Sequence, residues 1–491
     1  MSESPPNAAI PQDVAARPWF FCGIGGSGML PLATILKGLG AEVAGSDRSY
    51  DQGRSADKFA WLARQGFVLH PQDGSGVASP EQILVASAAV EDTVPEVVRA
   101  RELGCLRVSR AELLAHLFNR AETSLAVGGT SGKSTVTGML GWIMHWAGRD
   151  PTIMNGAVMK NFVSPEIPFA SARVGGGGLF VSEVDESDGS IALYRPTVSV
   201  LLNVSLDHKS MEELRTLFRA FLAAGQTAVV NFDDAEARAL AGGLPQGSPR
   251  VLSFGIDNRE ASFGIEPGTI AEEADTITAL LVDRREDRGH SLRLRMPGRH
   301  NLANALAAIA GAVAAGVPVH SACLALAQFQ GLARRFDIIG TSASGITVID
   351  DFGHNPEKAR ATLRTLKGGK RAGAGPEKGR VIAFFQPHGY GPLKQMGAEL
   401  AATFAHELGP EDLTILSNPV YFGGTVDRSL GSERIVALIR EGGGQAEHIP
   451  SREAVAERIL ELARPGDRIV VMGARDDTLG DFARALLARL P

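Results

Sequence analysis

The stretch Gly128-Gly129-Thr130-Ser131-Gly132-Lys133-Ser134-Thr135 constrains this chain more than any other. Residues 123–127 before it are short, apolar and β-branched, as a buried strand is, and Val136, Met139, Leu140 and Ile143 after it recur at helical spacing. A strand, a glycine-rich turn and a helix in that order make a phosphate cradle. Glycines let backbone N–H groups converge on phosphate oxygens, and the helix dipole favours negative charge. Lys133 reaches the outer phosphates, and Ser134 faces a magnesium ion. Val127 stands where the full phosphate-loop pattern has its first glycine, so the rest of the chain must support the assignment.

A length of 491 residues predicts about three domains. With 44% hydrophobic and 21% charged residues the composition is that of a water-soluble globular protein, and 57 glycines favour an α/β fold with many tight turns. A net charge of −6 argues against nucleic acid as a partner. Cys22, Cys105 and Cys323 lie far apart without metal-ligand spacing, which predicts reduced thiols and fits the cytoplasm. Residues 1–17 are polar and proline-containing, a disordered tail with no apolar segment of the secretory kind. The longest apolar run, 303–319, is shorter than the roughly 20 residues of a membrane span and reads as a buried helix.

Residues 19–22 followed by Gly23-Ile24-Gly25-Gly26-Ser27-Gly28 and an apolar helix over 29–39 form a Rossmann-type opening. A second strand over 42–44 leads into Gly45-Ser46-Asp47, an acidic residue about 20 positions beyond the glycines, where ribose or base recognition occurs. The loop recognises a pyrophosphate, and NAD and a UDP-sugar suit it equally. Ser87-Ala88 follows a strand over 83–86, at the end of the sheet where ligands gather. Downstream of the phosphate loop, a strand over 179–182 runs into Glu183-Val184-Asp185-Glu186-Ser187-Asp188, a candidate magnesium site, and a strand over 197–203 precedes Asp207-His208. His300, Asn301 and Asn304 open an alanine-rich helix; helix-start amides suit a nucleobase edge, and N-capping by Asn301 is the alternative. Arg334-Arg335 marks a junction before a third doubly wound set of strands, at 347–349, 381–385, 413–416 and 468–472.

Taken in order, GIGGSG (23–28), GGTSGKST (128–135), SEVDESD (182–188), NVSLDH (203–208), GRHNLANALAA (298–308), ARRFD (333–337) and DDFGHNP (350–356) resemble the Mur ligases, ATP-dependent enzymes that add amino acids to UDP-N-acetylmuramic acid. The resemblance spans residues 20–490, and the N-terminal GIGGSGM, the VDESD run and the FQPH segment are most like the alanine-adding branch. It implies three α/β domains: a Rossmann-like UDP-substrate domain over 18–121, a central P-loop ATPase-like domain with a mostly parallel sheet over 122–336, and a C-terminal Rossmann-like amino-acid domain over 337–491. It further implies that Gly23, Gly25, Gly26, Ser27, Gly28, Asp47, Ser87 and Ala88 hold the UDP-linked sugar carboxylate. ATP falls to Gly129, Thr130, Ser131, Gly132, Lys133, Ser134 and Thr135 with His300, Asn301, Asn304, Arg335 and Asp351. Ser134, Glu183 and His208 would serve Mg2+, and Lys133, Glu183, His208 and Arg335 form the implied catalytic set.

His354, His388 and Lys394 are the remaining substrate candidates, and here the chain departs from the alanine-adding pattern. Gly389 and Pro392 stand where that branch carries arginines, leaving Lys394 as the nearest cation, and His354-Asn355 replaces a His-His pair. Glycine and proline cannot hold a carboxylate as an arginine fork does. The segment 421–428 is a second candidate for the altered pocket. Three readings follow: an alanine-adding ligase, a related ligase for another amino acid, peptide or carboxylate, and, from another class, a NAD-binding oxidoreductase or regulatory P-loop ATPase. The last class leaves either Lys133, Glu183 and His208 or the flanking domains without a role. Nothing in the sequence specifies an oligomeric state.

Overall fold

The computed structural model describes residues 10–87, 90–206, 209–245, 247–273, 275–368, 379–420, 428, 430–474, 476 and 478–491. Among them the chain builds three α/β domains, each around one sheet. The first sheet is wholly parallel: β1 (Trp19–Cys22), β2 (Val43–Ser46), β3 (Val68–His70), β4 (Ile83–Ala86) and β5 (Leu106–Ser109), in the order β3-β2-β1-β4-β5. Every residue of β1 and β4 is buried, because a parallel sheet is covered on both faces and its inner strands read as unbroken apolar runs. Strand order reverses at β1, so the crevice for a ligand opens beside the glycine-rich loop that follows it.

The second sheet has 11 strands: β6 (Thr123–Gly128), β7 (Thr152–Met154), β8 (Ala172–Arg173), β9 (Leu179–Glu183), β10 (Val198–Leu201), β11 (Thr227–Asn231), β12 (Arg250–Phe254), β13 (Phe263–Ile265), β14 (Ala271–Glu272), β15 (Ile277–Asp283) and β16 (Arg288–Leu294). β6 lies between β9 and β10, parallel to both, so the phosphate loop, the acidic run after β9 and the segment after β10 leave the sheet side by side. The third sheet comprises β17 (Asp337–Thr341), β18 (Thr347–Asp351), β19 (Val381–Gln386), β20 (Leu413–Leu416), β21 (Ala446–His448) and β22 (Arg468–Gly473), ordered β17-β18-β22-β19-β20-β21 with only β17 antiparallel.

The chain divides into two compact units. One runs through Ala271 and adds Thr278–Arg295 and Leu302–Gln330; the other comprises Glu272–Ile277, Met296–Asn301 and Gly331–Pro491. The first unit holds two domains because one apolar core crosses them: Phe118 of the first meets Phe180 and Tyr194 of the second edge-on at 5.6 and 5.3 Å.

Two local expectations are corrected, and one part of the central sheet was not anticipated. Residues 10–17 are packed: Asp13 caps a short turn over Val14–Ala16, Val14 is buried, and the Trp19 indole donates to the Val14 carbonyl at 2.8 Å. The apolar run 303–319 is not one helix, since Gly316 at φ +86° and Pro318 separate the helix Arg299–Ala314 from Val319–Ala327. The extension of the sheet beyond β13, by β15 antiparallel to it and by β16 beside β15, had no counterpart in the sequence reading. Among the described residues no helix is long and apolar enough to cross a membrane, and the three cysteines are unpaired.

Candidate active site

The phosphate loop leaves β6 and enters the helix Lys133–Trp146 through Gly132, which caps the helix at φ +87° with no side-chain hydrogen bond. Among the described residues no side chain caps the first amides of the helix, an arrangement that suits an anion. The loop is shaped by Asn203, just past β10: its Oδ1 accepts from the Ser131 amide at 2.8 Å and its Nδ2 donates to the Ser131 carbonyl at 3.1 Å. Thr130 is fixed to Ser205 in both directions, accepting from its amide at 3.0 Å and donating to its carbonyl at 3.2 Å. Asn304 stands over the turn, so close that a Cβ on Gly132 would come within 2.7 Å of its Oδ1. Thr135 is buried in the first turn of the helix.

Lys133 folds back onto its own loop. Its ammonium donates to the Gly129 carbonyl at 2.7 Å and to Glu186 Oε2 at 2.8 Å, and Glu186 is almost fully buried. Burial alone would pull the lysine down, but the Glu186 carboxylate, with Asp185 and Glu183 beyond it, more than reverses this and holds it above its ordinary value. The cation is charged and held by a partner beside the cradle. Ser134 Oγ donates to Glu183 Oε2 at 2.7 Å, and Asn155, fully buried, donates to the Ser134 carbonyl at 2.9 Å. Glu183 also lies against Gly156, where a Cβ would meet Oε1 at 2.3 Å. A hydroxyl and a carboxylate oxygen side by side at a phosphate cradle are hard donors of the kind magnesium takes. His208 and Asp207 lie outside the described residues, and among the described ones no group of three or more His, Cys, Asp or Glu side chains gathers as a metal site.

The loop after β1 contains no charged side chain. Gly23 turns at φ +81°, Gly26 and Ser27 are exposed at the apex, and Gly28 leads into the helix Met29–Gly38 without a side-chain cap. Gly25 is gripped at both ends of its backbone: its amide donates to Asp47 Oδ2 at 2.9 Å and its carbonyl accepts from the buried Lys58 at 3.2 Å. The other Asp47 oxygen accepts from the Ser49 amide at 2.8 Å, so this carboxylate shapes the loop. Arg110 lies alongside, its Cδ 3.1 Å from where a Cβ on Gly28 would be, and pairs loosely with Asp188 of the acidic run at 3.8 Å. Ser87 follows β4 as expected, and Ala88 lies outside the described residues.

In the second unit, Asp351 Oδ1 accepts from the Gly353 amide at 2.7 Å and from Thr362 Oγ1 at 2.9 Å, and Oδ2 accepts from the Phe336 amide at 2.8 Å. Arg335 reaches back to the Arg334 carbonyl at 3.2 Å and lies over the Phe352 ring, 4.3 Å from its centroid. Asn301 is inside the helix Arg299–Ala314, where its Nδ2 donates to the Pro297 carbonyl at 2.7 Å, so it does not act as the N-cap. His300, one position earlier, is exposed. His354 Nδ1 faces the Phe352 carbonyl at 3.0 Å and its ring meets that of His388 edge-on at 5.0 Å. Burial, followed by the nearby Lys358 charge, pushes the His354 imidazole down to about 3, so it is neutral at physiological pH. Lys394 is exposed on the helix Tyr390–Glu407, which Gly389 starts at φ +147°. The segment 421–427 lies outside the described residues.

Three regions of the chain match Mur ligase domains: residues 20–122 the "Mur ligase family, catalytic domain", 127–312 the "Mur ligase middle domain" and 334–475 the "Mur ligase, glutamate ligase domain". The UDP-N-acetylmuramate--L-alanine ligase of Pelotomaculum thermopropionicum is 33% identical over 465 residues, 93% of this chain and 94% of that one. This chain is a member of the Mur ligase family. Its fold is also that of two solved structures at 23% identity: a UDP-N-acetylmuramate-alanine ligase from Thermotoga maritima (TM-score 0.77, 96% of this chain and 99% of that one) and a murein peptide ligase from Psychrobacter arcticus (TM-score 0.69, 97% and 100%).

For a Mur ligase, the supporting residues are as informative as the motif residues. Asn203, Asn155 and Lys58 were not among the sequence candidates, although Asn203 lay inside a quoted motif, and Glu186, read from the sequence as part of a candidate magnesium cluster, is the partner of Lys133. Arg452 was missed as well. Its fork donates to Gln386 Oε1 at 2.6 Å, to Thr478 Oγ1 at 2.7 Å and to Asp476, so the FQPH segment is braced by an arginine from a distant helix. Each reaches its partner through packing within its own domain, which sequence spacing does not encode.

Proposed function

We propose that this chain is an ATP-dependent, ADP-forming ligase that joins L-alanine to the carboxylate of UDP-N-acetylmuramate through an acyl phosphate. The observation that carries the reading is the Lys133 arrangement: a charged lysine held against Glu186 beside a glycine-capped helix start, with no side-chain cap among the described residues, fits a triphosphate. On this reading Gly129 to Thr135 take the phosphates, with His300, Asn301, Asn304, Arg335 and Asp351 as further nucleotide contacts. The loop Gly23 to Gly28, braced by Asp47, takes the UDP diphosphate, and Ser87 and Ala88 continue that site. Ser134 and Glu183, whose oxygens are 2.7 Å apart, would hold magnesium with His208. The ion would supply charge neutralisation on the phosphates.

The remaining work is positional. Lys133 exchanges Glu186 for phosphate oxygens as negative charge moves onto the leaving group, and Arg335 adds a second cation. No protein nucleophile is needed, because the substrate's own carboxylate attacks. The amine that follows must be neutral, and Asp207 and His208 are the candidates to take its proton; His354, whose ring meets that of His388, and Lys394 are candidates for holding the substrate. Three unpaired thiols fit a reducing cytoplasm.

A related ligase for another amino acid or a peptide is the second reading, supported by Gly389 and Pro392 in place of arginines and by the likeness in fold to a murein peptide ligase. Phosphate release from ATP and Mg2+ with UDP-N-acetylmuramate, screened over single amino acids and short peptides with mass spectrometry of products, decides between them. A product heavier by one alanyl residue is expected. A peptide adduct moves the assignment to the second reading, and ATP binding without turnover on any UDP-muramyl acceptor removes both.

A further inference from the structure

The buried Asp350 and the largely covered Arg334 that faces it are charges that the reading above leaves without a task. Asp350 is fully buried next to the end of β18, and neither carboxylate oxygen has a hydrogen-bond partner among the described residues. The cation facing it is Arg334, whose Nε lies 3.5 Å from Oδ2 without forming a hydrogen bond. The rest of that guanidinium is tied to the end of β22 and beyond: Nη2 donates to the Gly473 carbonyl at 2.7 Å and Nη1 to that of Asp476 at 3.0 Å. Glycine at 480 makes room, since a Cβ there would lie 3.1 Å from Asp350 Oδ2.

The backbone around the arginine is constrained. Arg334 and Phe336 adopt φ +61° and +48°, a region unfavourable for residues with a Cβ. Its carbonyl accepts from the Phe352 amide at 2.8 Å, and the Phe336 amide donates to Asp351 at 2.8 Å, so the turn is laced to the end of β18. Adjacent residues of a strand face opposite ways. Asp350 points toward the helix Leu479–Arg489, whereas Asp351 meets Thr362 on the helix Pro356–Lys367.

Stability does not account for the pair. Burial pushes the Asp350 carboxyl up to about 6, Arg334 pulling against it and Asp351 and Asp337 adding to it. A carboxyl raised above its unfolded value contributes fully below that value and loses its contribution as pH rises toward 6, so at neutral pH the buried charge is a cost.

We propose that Arg334 and Asp350 are positioning residues, a buried pair that fixes the left-handed turn from which Arg335 and Asp351 are presented to the nucleotide. The proposal rests on the assignment of Arg335 and Asp351 as nucleotide contacts. It is tested on the full chain with Asp350→Asn, Arg334→Gln and the double variant, by titration with a fluorescent ATP analogue, melting temperature, and separate KM values for ATP and the UDP-linked acceptor. Asp350→Asn is expected to melt no lower than the parent at neutral pH while binding the nucleotide about tenfold more weakly, with the acceptor KM unchanged. The double variant should regain the stability lost in Arg334→Gln and keep the weak nucleotide binding. Parent-like nucleotide affinity in Asp350→Asn overturns the proposal, and that variant decides the matter should Arg334→Gln not fold. A parent that binds ATP but ligates no acceptor defeats the ligase assignment and leaves this test intact; a parent that binds no ATP overturns both.

Discussion

The two glycine-rich loops of the first unit follow the same plan, strand to loop to helix with a glycine cap, yet they hold charge differently. The loop after β1 has no charged side chain, and its shape is set from outside by Asp47 on the Gly25 amide and Lys58 on the Gly25 carbonyl. The loop after β6 contains its own cation and keeps it paired with Glu186. A binding loop can offer backbone amides alone, which suits an anion held unchanged, or a movable charge, which suits an anion whose charge shifts during reaction. On the proposed reading, the difference separates a substrate grip from a reaction centre.

Removing the movable charge should have the largest effect. Lys133→Ala is expected to lower ligation by roughly 10²- to 10³-fold or more, the scale for losing one group that stabilises transition-state charge, while the UDP-linked acceptor binds as before in a calorimetric titration. Loss of acceptor binding as well would mean that the two loops do not act separately. Glycine substitutions probe the same contrast less severely. Alanine at Gly132 must adopt φ +87° and displace Asn304, so Gly132→Ala should weaken ATP binding by about tenfold. In the other loop a Cβ on Gly25 would meet Phe59 Cζ at 2.9 Å and Asp47 Oδ2 at 3.0 Å, so Gly25→Ala should weaken only the acceptor. A crossover of the two effects would break the comparison.

Glu186→Gln addresses the stored charge itself. Its amide oxygen can still accept from Lys133 but no longer neutralises it, so a cost of about 1–3 kcal/mol in stability is expected, read as a lower melting temperature, with ATP binding equal or tighter. Weaker ATP binding would place Glu186 on the nucleotide or its metal and end its role as a resting partner.

Both loops were legible because their information is local: glycine spacing, a flanking strand and a following helix lie within about 20 residues of sequence. Their partners were not. Asn203 reaches Ser131 because β10 lies beside β6, and Arg452 reaches Gln386 across 66 positions, facts of strand order that periodicity does not encode. The misreadings have the same origin. Residues 10–17 look like a tail until Trp19 and Arg17 are seen to anchor them, Arg17 through the carbonyls of Pro80 and Glu81. Asn301 has a capping residue's chemistry but sits in the helix, with its amide turned back to Pro297.

The smallest effect should come from Asp47, and it bears most directly on how the first loop works. Sequence position alone assigns it to a ribose, whereas its two oxygens accept from the Gly25 and Ser49 amides at 2.9 and 2.8 Å. Asp47→Asn preserves one acceptor oxygen and places a donor where the other stood, so one of the two amides faces an NH2 group. The loss is that of a single hydrogen bond, about 0.5–1.5 kcal/mol, seen as a few-fold weaker acceptor affinity with ATP affinity unchanged. If Asp47 instead holds a ribose hydroxyl, UDP and its 2′-deoxy analogue should respond differently to the substitution. An equal response to both would locate its influence in the loop backbone, which is where the geometry puts it.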